Sequence, residues 1–235
     1  GRDEKALSAA VSELRERDIV VHGMCADVTV ESDNVRMADK ALDVYGRIDV
    51  LINNAGISMR ATFEDVDVPV IKKVMDINFF GAVNATKSCL REIIKNKGTI
   101  VGISSIAGFR GLPARTGYSA SKFALNGFLE ALRTELLHTG VHVLTACPGF
   151  TASNIRTRAL TQDGSVQGTS PRQEEKMMTA EACAAHIYRA TVKRKRTLIL
   201  TFEGKAAVWL NKYFPALADR MVYNAMRKEQ DSPVR

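Results

Sequence analysis

Long apolar runs are missing from this chain of 235 residues. No stretch approaches the ~20 consecutive apolar residues that a membrane-spanning helix needs. No basic-plus-apolar leader pattern is read at its start, so a cytoplasmic location is expected. Cysteine is scarce, with four residues (Cys25, Cys89, Cys147 and Cys183) set far apart and no Cys-x-x-Cys pair. That spacing argues against a disulfide framework or a cysteine metal cluster, and predicts buried small hydrophobes instead. His22, His138, His142 and His186 do not cluster with the cysteines, so no metal is expected. No nucleic-acid reader motif is found, which removes nucleic acid as an expected partner.

What is present is enough apolar material, 46% of residues, for one α/β domain with a substantial core. The net charge of +7 is concentrated at the C-terminus, where residues 189–235 hold 11 Lys and Arg against 4 Asp and Glu. A solvated surface is the first expectation for that cluster. An acidic carrier protein, a phosphorylated substrate or a peripheral membrane surface is the alternative partner class.

Helical and strand patterns alternate, which predicts a parallel sheet covered on both faces. Helices are expected at 3–17, 31–45, 69–95 (with a break near Asn78), 119–138 and 180–193. Strands are expected at 18–24, 49–53, 99–103, 141–146 and 197–202. Residues 150–179 are polar and weakly periodic, the pattern of a lid over a substrate site or of a disordered loop. After residue 203 the apolar spacing around Trp209, Tyr213, Leu217 and Met221 predicts basic amphipathic helices. The domain division is therefore 1–203, with a substrate loop at 150–180, and 204–235.

Tyr118 and Lys122 carry the chemistry. At i and i+4 they share one helix face, about 5–6 Å apart at Cβ. A lysine so placed lowers the phenol's pKa, which lets the tyrosine exchange a proton near neutral pH. Ser105, thirteen residues upstream, can hydrogen-bond the oxygen that the phenol serves. The three suit interconversion of a carbonyl and an alcohol. A tyrosine packed on its lysine's stem in a solvated helix is the bland alternative. The surrounding motifs are Asn53-Asn54-Ala55-Gly56 after an apolar strand, Asn78 within a helix, and Pro148-Gly149 after another strand.

In those motifs, in that order across roughly residues 1–153, the chain resembles the short-chain dehydrogenase/reductase family. The resemblance implies a single Rossmann-like, doubly wound parallel sheet and an NAD(P)-dependent oxidoreductase. It implies that Tyr118 is the general acid/base, that Ser105 polarises the carbonyl, and that Lys122 tunes Tyr118 and holds the nicotinamide ribose. The Asn78 backbone carbonyl would hold a relay water. By the same resemblance Asn54, Ala55 and Gly56 line the adenosine side, while Asp27 and Val28 contact adenine. Pro148, Gly149 and Thr151 belong to the loop that takes the carboxamide. Arg2 resembles the basic residue that pairs with a 2′-phosphate, so NADP is expected over NAD. A homodimer or homotetramer built on residues 78–95 and 119–138 is also implied.

The family's Gly-x-x-x-Gly-x-Gly turn does not occur in this sequence. The first strand–helix–strand unit is therefore expected to be missing, which would leave unpaired edges in the sheet. The chain alone is expected to be unstable and to bind nucleotide poorly. The leading expectation is hydride transfer between NADP(H) and an apolar ketone or secondary alcohol. The alternatives are a 3-oxoacyl carrier-protein reductase, a nucleotide-binding regulatory module of the same fold, and a non-functional fragment.

Overall fold

The computed structural model describes residues 1–234. Its centre is a four-stranded parallel sheet in the order β1 (Val50–Asn53), β2 (Thr99–Ile103), β3 (His142–Cys147), β4 (Thr197–Ile199). The register pairs Val50 with Thr99, Thr99 with His142, and Thr145 with Thr197. Side chains alternate between faces along each strand. Leu51, Ile100 and Val143 point to one face, where α2 (Glu31–Tyr45), α4 (Gly81–Lys95) and α5 (Thr116–Glu135) cover them with Ala38, Ala85, Ile93, Leu125 and Leu129. Val101, Leu144 and Ala146 point to the other face, against Ala190 and Ile187 of α6 (Ala180–Val192). The sheet is thus doubly wound, as the sequence predicts.

The break expected near Asn78 is real. α3 (Val68–Met75) passes into a π-helical turn, Asp76–Phe80, before α4, and the Gly81 N–H reaches back to the Asp76 carbonyl. Pro69 sits in the first turn of α3, where its missing N–H costs nothing.

Four expectations need correction. Residues 18–24 form no strand, because no neighbouring strand offers them a ladder among the described residues. They run without regular structure beside α1 (Glu4–Glu16), with Val20 82% exposed. α5 starts three residues earlier than predicted, at Thr116, so Tyr118 lies inside its first turn. The last strand stops at Ile199, and Thr201 instead caps α7 (Phe202–Tyr213) by accepting from the Gly204 N–H. Cys25 is exposed, because it lies in the unpaired segment, whereas Cys89, Cys147 and Cys183 are buried.

Residues 150–179 carry little regular structure, yet they are pinned. Leu160 is buried against Met59 and Val70, and its N–H donates to the Ser58 carbonyl. Arg156 and Glu174 make a bidentate pair within the loop. α7 and α8 (Pro215–Arg227) then fold back over the C-terminal ends of the strands. No described helix is long and apolar enough to cross a membrane.

Candidate active site

The C-terminal end of β2 delivers Ser104 and Ser105 to the floor of a cavity of about 1040 Å³. α5 supplies Tyr118 and Lys122 from one side. The loop after β3 contributes Pro148, Gly149 and Thr151, and the loop after β1 contributes Asn54 and Gly56. α7 and α8 provide an apolar wall that includes Trp209, Leu210, Met221 and Val222. A site at the carboxyl ends of parallel strands is the usual place for a ligand in such a sheet.

Lys122 is 4% exposed, and its ammonium donates to the Ile103 carbonyl at 2.9 Å. Burial lowers its pKa to about 8. The ammonium lies 5.7 Å from the centroid of the Tyr118 ring. The expected depression of the phenol by Lys122 is not found. Burial of Tyr118 pushes its pKa up, and the opposition comes from a Ser105 hydrogen bond and from the charges of Arg115 and Arg156. The reason is geometric: the ammonium is turned toward a backbone carbonyl and over the ring. Ser105 itself is held by the Ala107 N–H, which donates to its Oγ at 3.1 Å. Burial drives the neighbouring Cys147 thiol up to about 12, so it stays protonated.

Asn78 does more than break a helix. Its Oδ1 accepts from the Ile57 N–H at 2.8 Å, and its Nδ2 donates to the Ile57 carbonyl and to Ser121 Oγ, each at 2.9 Å. Ser121 Oγ donates in turn to the Tyr118 carbonyl at 2.7 Å. One buried amide therefore ties the loop after β1 to the helix turn that bears Tyr118. Gly56 belongs to that junction. A Cβ there would come within 3.3 Å of Asn78 Oδ1 and 3.6 Å of Lys122 Nζ. At Gly149 a Cβ would meet Thr201 Oγ1 at 2.7 Å, so only glycine permits this approach.

The structure brings Ser105, Tyr118, Lys122, Asn78, Asn54, Gly56, Pro148, Gly149 and Thr151 to one place. Ala55 is exposed beside them. Arg2 and Asp27 pair near the start of α1, and Val28 lies against α2 and α4. Arg2 Nη1 donates to Asp27 Oδ2 at 3.2 Å, and the Val28 carbonyl accepts from Asn34 and Asn84. The nicotinamide end of a dinucleotide fits the main cavity. The buried ammonium spends one donor on Ile103, and the side-chain-free Gly56 leaves room beside it. The pyrophosphate has no matching place at α1, whose N-terminus carries Asp3 and Glu4 and is already capped by Asp3.

Arg115, Arg156, Ser121 and Glu229 escaped sequence reasoning. Arginines in polar loops read as solvated surface, and nothing marks one of them as facing a phenol. Ser121 could have been noticed from its place between Tyr118 and Lys122.

A model of the short chain dehydrogenase family matches residues 1–164. Dehydrogenase/reductase SDR family member 7B of Mus musculus is 39% identical over 197 residues, covering 83% of this chain and 61% of that protein. Its Rattus norvegicus counterpart is 35% identical over 240 residues, covering 99% of this chain and 74% of that one. A crystal structure of a short chain dehydrogenase/reductase from Burkholderia phymatum in complex with NAD superposes with a TM-score of 0.82 at 24% identity, over 92% of this chain and 83% of that one. The parallel sheet, the Tyr118–Lys122 turn and these matches agree, and the chain belongs to the short-chain dehydrogenase/reductase family of NAD(P)-dependent oxidoreductases.

Proposed function

We propose that this protein interconverts an apolar ketone and its secondary alcohol with NADP(H), Tyr118 serving as general acid and base. The observation that carries this reading is the Tyr118 phenol, hydrogen-bonded by Ser105 and flanked by buried Lys122, at the floor of a cavity walled by apolar residues of α7 and α8.

The nicotinamide ring supplies or accepts the hydride when bound. In reduction the Tyr118 hydroxyl gives its proton to the carbonyl oxygen as negative charge develops there. Ser105 Oγ donates a hydrogen bond to the same oxygen and fixes the carbonyl's orientation. Arg115 and Arg156 favour the phenolate that remains. Lys122 keeps a positive charge beside it and would hold the ribose hydroxyls. Asn78, by clamping Ile57 and Ser121, keeps the Tyr118 turn and the loop after β1 in register. Alcohol oxidation runs the same steps in reverse, with Tyr118 taking the proton.

The apolar substrate class follows from the walls, since Trp209, Leu210, Met221 and Val222 offer contact area without hydrogen bonds. NADP over NAD rests on Arg2, which is exposed and cationic beside Asp27. Tyr118→Phe tests the central claim. It removes the proton donor and leaves the ring packed, and is expected to lower kcat by about 10²–10⁴-fold toward a panel of ketones. Unchanged turnover would sink the assignment of Tyr118.

A further inference from the structure

Glu229 lies just past the end of α8, yet its side chain is only 4% exposed. Its Oε2 accepts from Arg115 Nη2 at 2.8 Å and lies 3.7 Å from Arg60 Nε, while Oε1 accepts from Arg172 Nε at 2.7 Å. The three guanidiniums come from separate segments: the loop after β1, the N-terminal cap of α5, and the substrate loop. Arg60 Nη2 also donates to the Gln230 carbonyl at 2.5 Å. The Arg172 guanidinium lies 4.0 Å from the centroid of Phe150, which lines the cavity. One carboxylate therefore joins four parts of the chain around the site.

Burying a carboxylate costs desolvation that its ion pairs roughly offset. The arrangement is better explained by what it holds. Arg115 is three residues before Tyr118 and lines the same cavity. The groups facing the phenol are Ser105, Arg115, Arg156, Cys147 and Lys122. Those facing Glu229 are Arg60, Arg115 and Arg172. Arg115 is common to both sets.

We propose that Glu229 is a positioning residue for the reaction: it fixes the end of α8 and the Arg172 loop as the wall of the substrate cavity, and it moderates the positive charge that Arg115 places beside Tyr118. The bearing of the second half on catalysis rests on Tyr118 as the acid/base; the charge coupling itself and the cavity wall do not.

The test uses Glu229→Gln, Glu229→Asp and Arg172→Gln in the full chain. Three readouts apply: the phenol titration of Tyr118, taken as the difference from a matching Tyr118→Phe background; hydrogen exchange of residues 215–234; and kinetics with an aryl ketone. In Glu229→Gln the phenol titrates at lower pH, because Arg115 loses its counter-charge. Exchange in 215–234 accelerates, and KM rises on the order of tenfold with a much smaller change in kcat. Arg172→Gln raises KM and leaves the titration in place. Glu229→Asp keeps the charge but shortens its reach, so KM and exchange rise while the titration stays near wild type. Unmoved titration and exchange in Glu229→Gln overturn the proposal. Should that variant fail to fold, an Arg172→Gln titration shift, or an unaltered KM in Glu229→Asp, does the same. A shifted titration alongside a fully active Tyr118→Phe would remove the acid/base reading and leave the Glu229 coupling standing.

Discussion

β2 and β3 are covered on both faces and paired on both edges, whereas β1 has one covered face and one paired edge. Ile100, Val101, Val143 and Leu144 are each 1% exposed or less. On β1, Leu51 is buried at 9% but Val50 and Ile52 are 47% and 56% exposed. α1 buries no residue at all, and the irregular segment after it has no ladder among the described residues. The difference divides the proposed site. Ser105, Tyr118 and Lys122 stand on the half where packing leaves side chains one arrangement. Arg2 and Asp27 stand on the half held by a surface ion pair and capping bonds.

The largest test of that contrast makes the same cut in both halves. Leu129→Ala opens a cavity under β2 in a residue that is 0% exposed, and is expected to cost about 2–5 kcal/mol. Leu14→Ala in α1 removes a half-buried side chain and should cost no more than about 1 kcal/mol. Urea denaturation midpoints at unchanged slope measure both. Equal losses would mean that α1 contributes as much to cooperative unfolding as the sheet's centre, and the contrast would fall.

A second test asks what the packed half costs. Lys122 titrates near 8 when folded, against 10.5 for an ordinary lysine. Its folded pKa is depressed, so the unfolded chain binds its proton more tightly. Below about pH 8 the buried ammonium is a penalty on folding, and the penalty fades as pH rises toward 10.5. The gap corresponds to about 3 kcal/mol at most. Wild-type stability should therefore climb relative to Lys122→Met between about pH 8 and about pH 10. Above that range the raised pKa of buried Tyr118 acts in the opposite sense, so the comparison stops there. Parallel pH profiles for the two proteins would place Lys122 in water rather than in the core.

The sequence made the packed half easy to read and the open half hard. Strand and helix patterns at 31–45, 50–53, 81–95 and 99–103 follow apolar periodicity, because tertiary burial reinforces what each segment prefers locally. Asp18–Met24 carries the apolar run Ile19-Val20-Val21, but a strand exists only when another strand meets it. The local pattern could not supply that neighbour. Within the site, the fixed i, i+4 spacing made Tyr118 and Lys122 visible, and Ser105 followed from its place after β2. Whether Lys122 acts on the phenol at all was not legible, since that depends on where the ammonium turns. Glu229 was invisible for a related reason: its three arginines lie 57, 114 and 169 residues away in sequence, and no short pattern spans them.

The smallest expected effect on stability, and the finest probe of the open half, is at Arg2. Its guanidinium is 63% exposed, and its partner Asp27 is 28% exposed, so the pair should contribute less than about 1 kcal/mol to folding. Asp27 is held below the usual carboxylate range chiefly by the Thr29 N–H, with Arg2 a lesser contributor, so the carboxylate stays charged without its partner. Arg2→Ala should therefore leave the melting temperature nearly unchanged. Its effect should fall on cofactor choice, because a 2′-phosphate would lose a charge-assisted hydrogen bond. The kcat/KM ratio of NADP to NAD should drop on the order of tenfold. Asp27→Asn should act in the reverse direction: it keeps an acceptor for the Thr29 N–H while releasing Arg2 from a competing anion, and the ratio should rise. If neither substitution moves the ratio, Arg2 belongs to the surface and the preference for NADP has lost its physical basis.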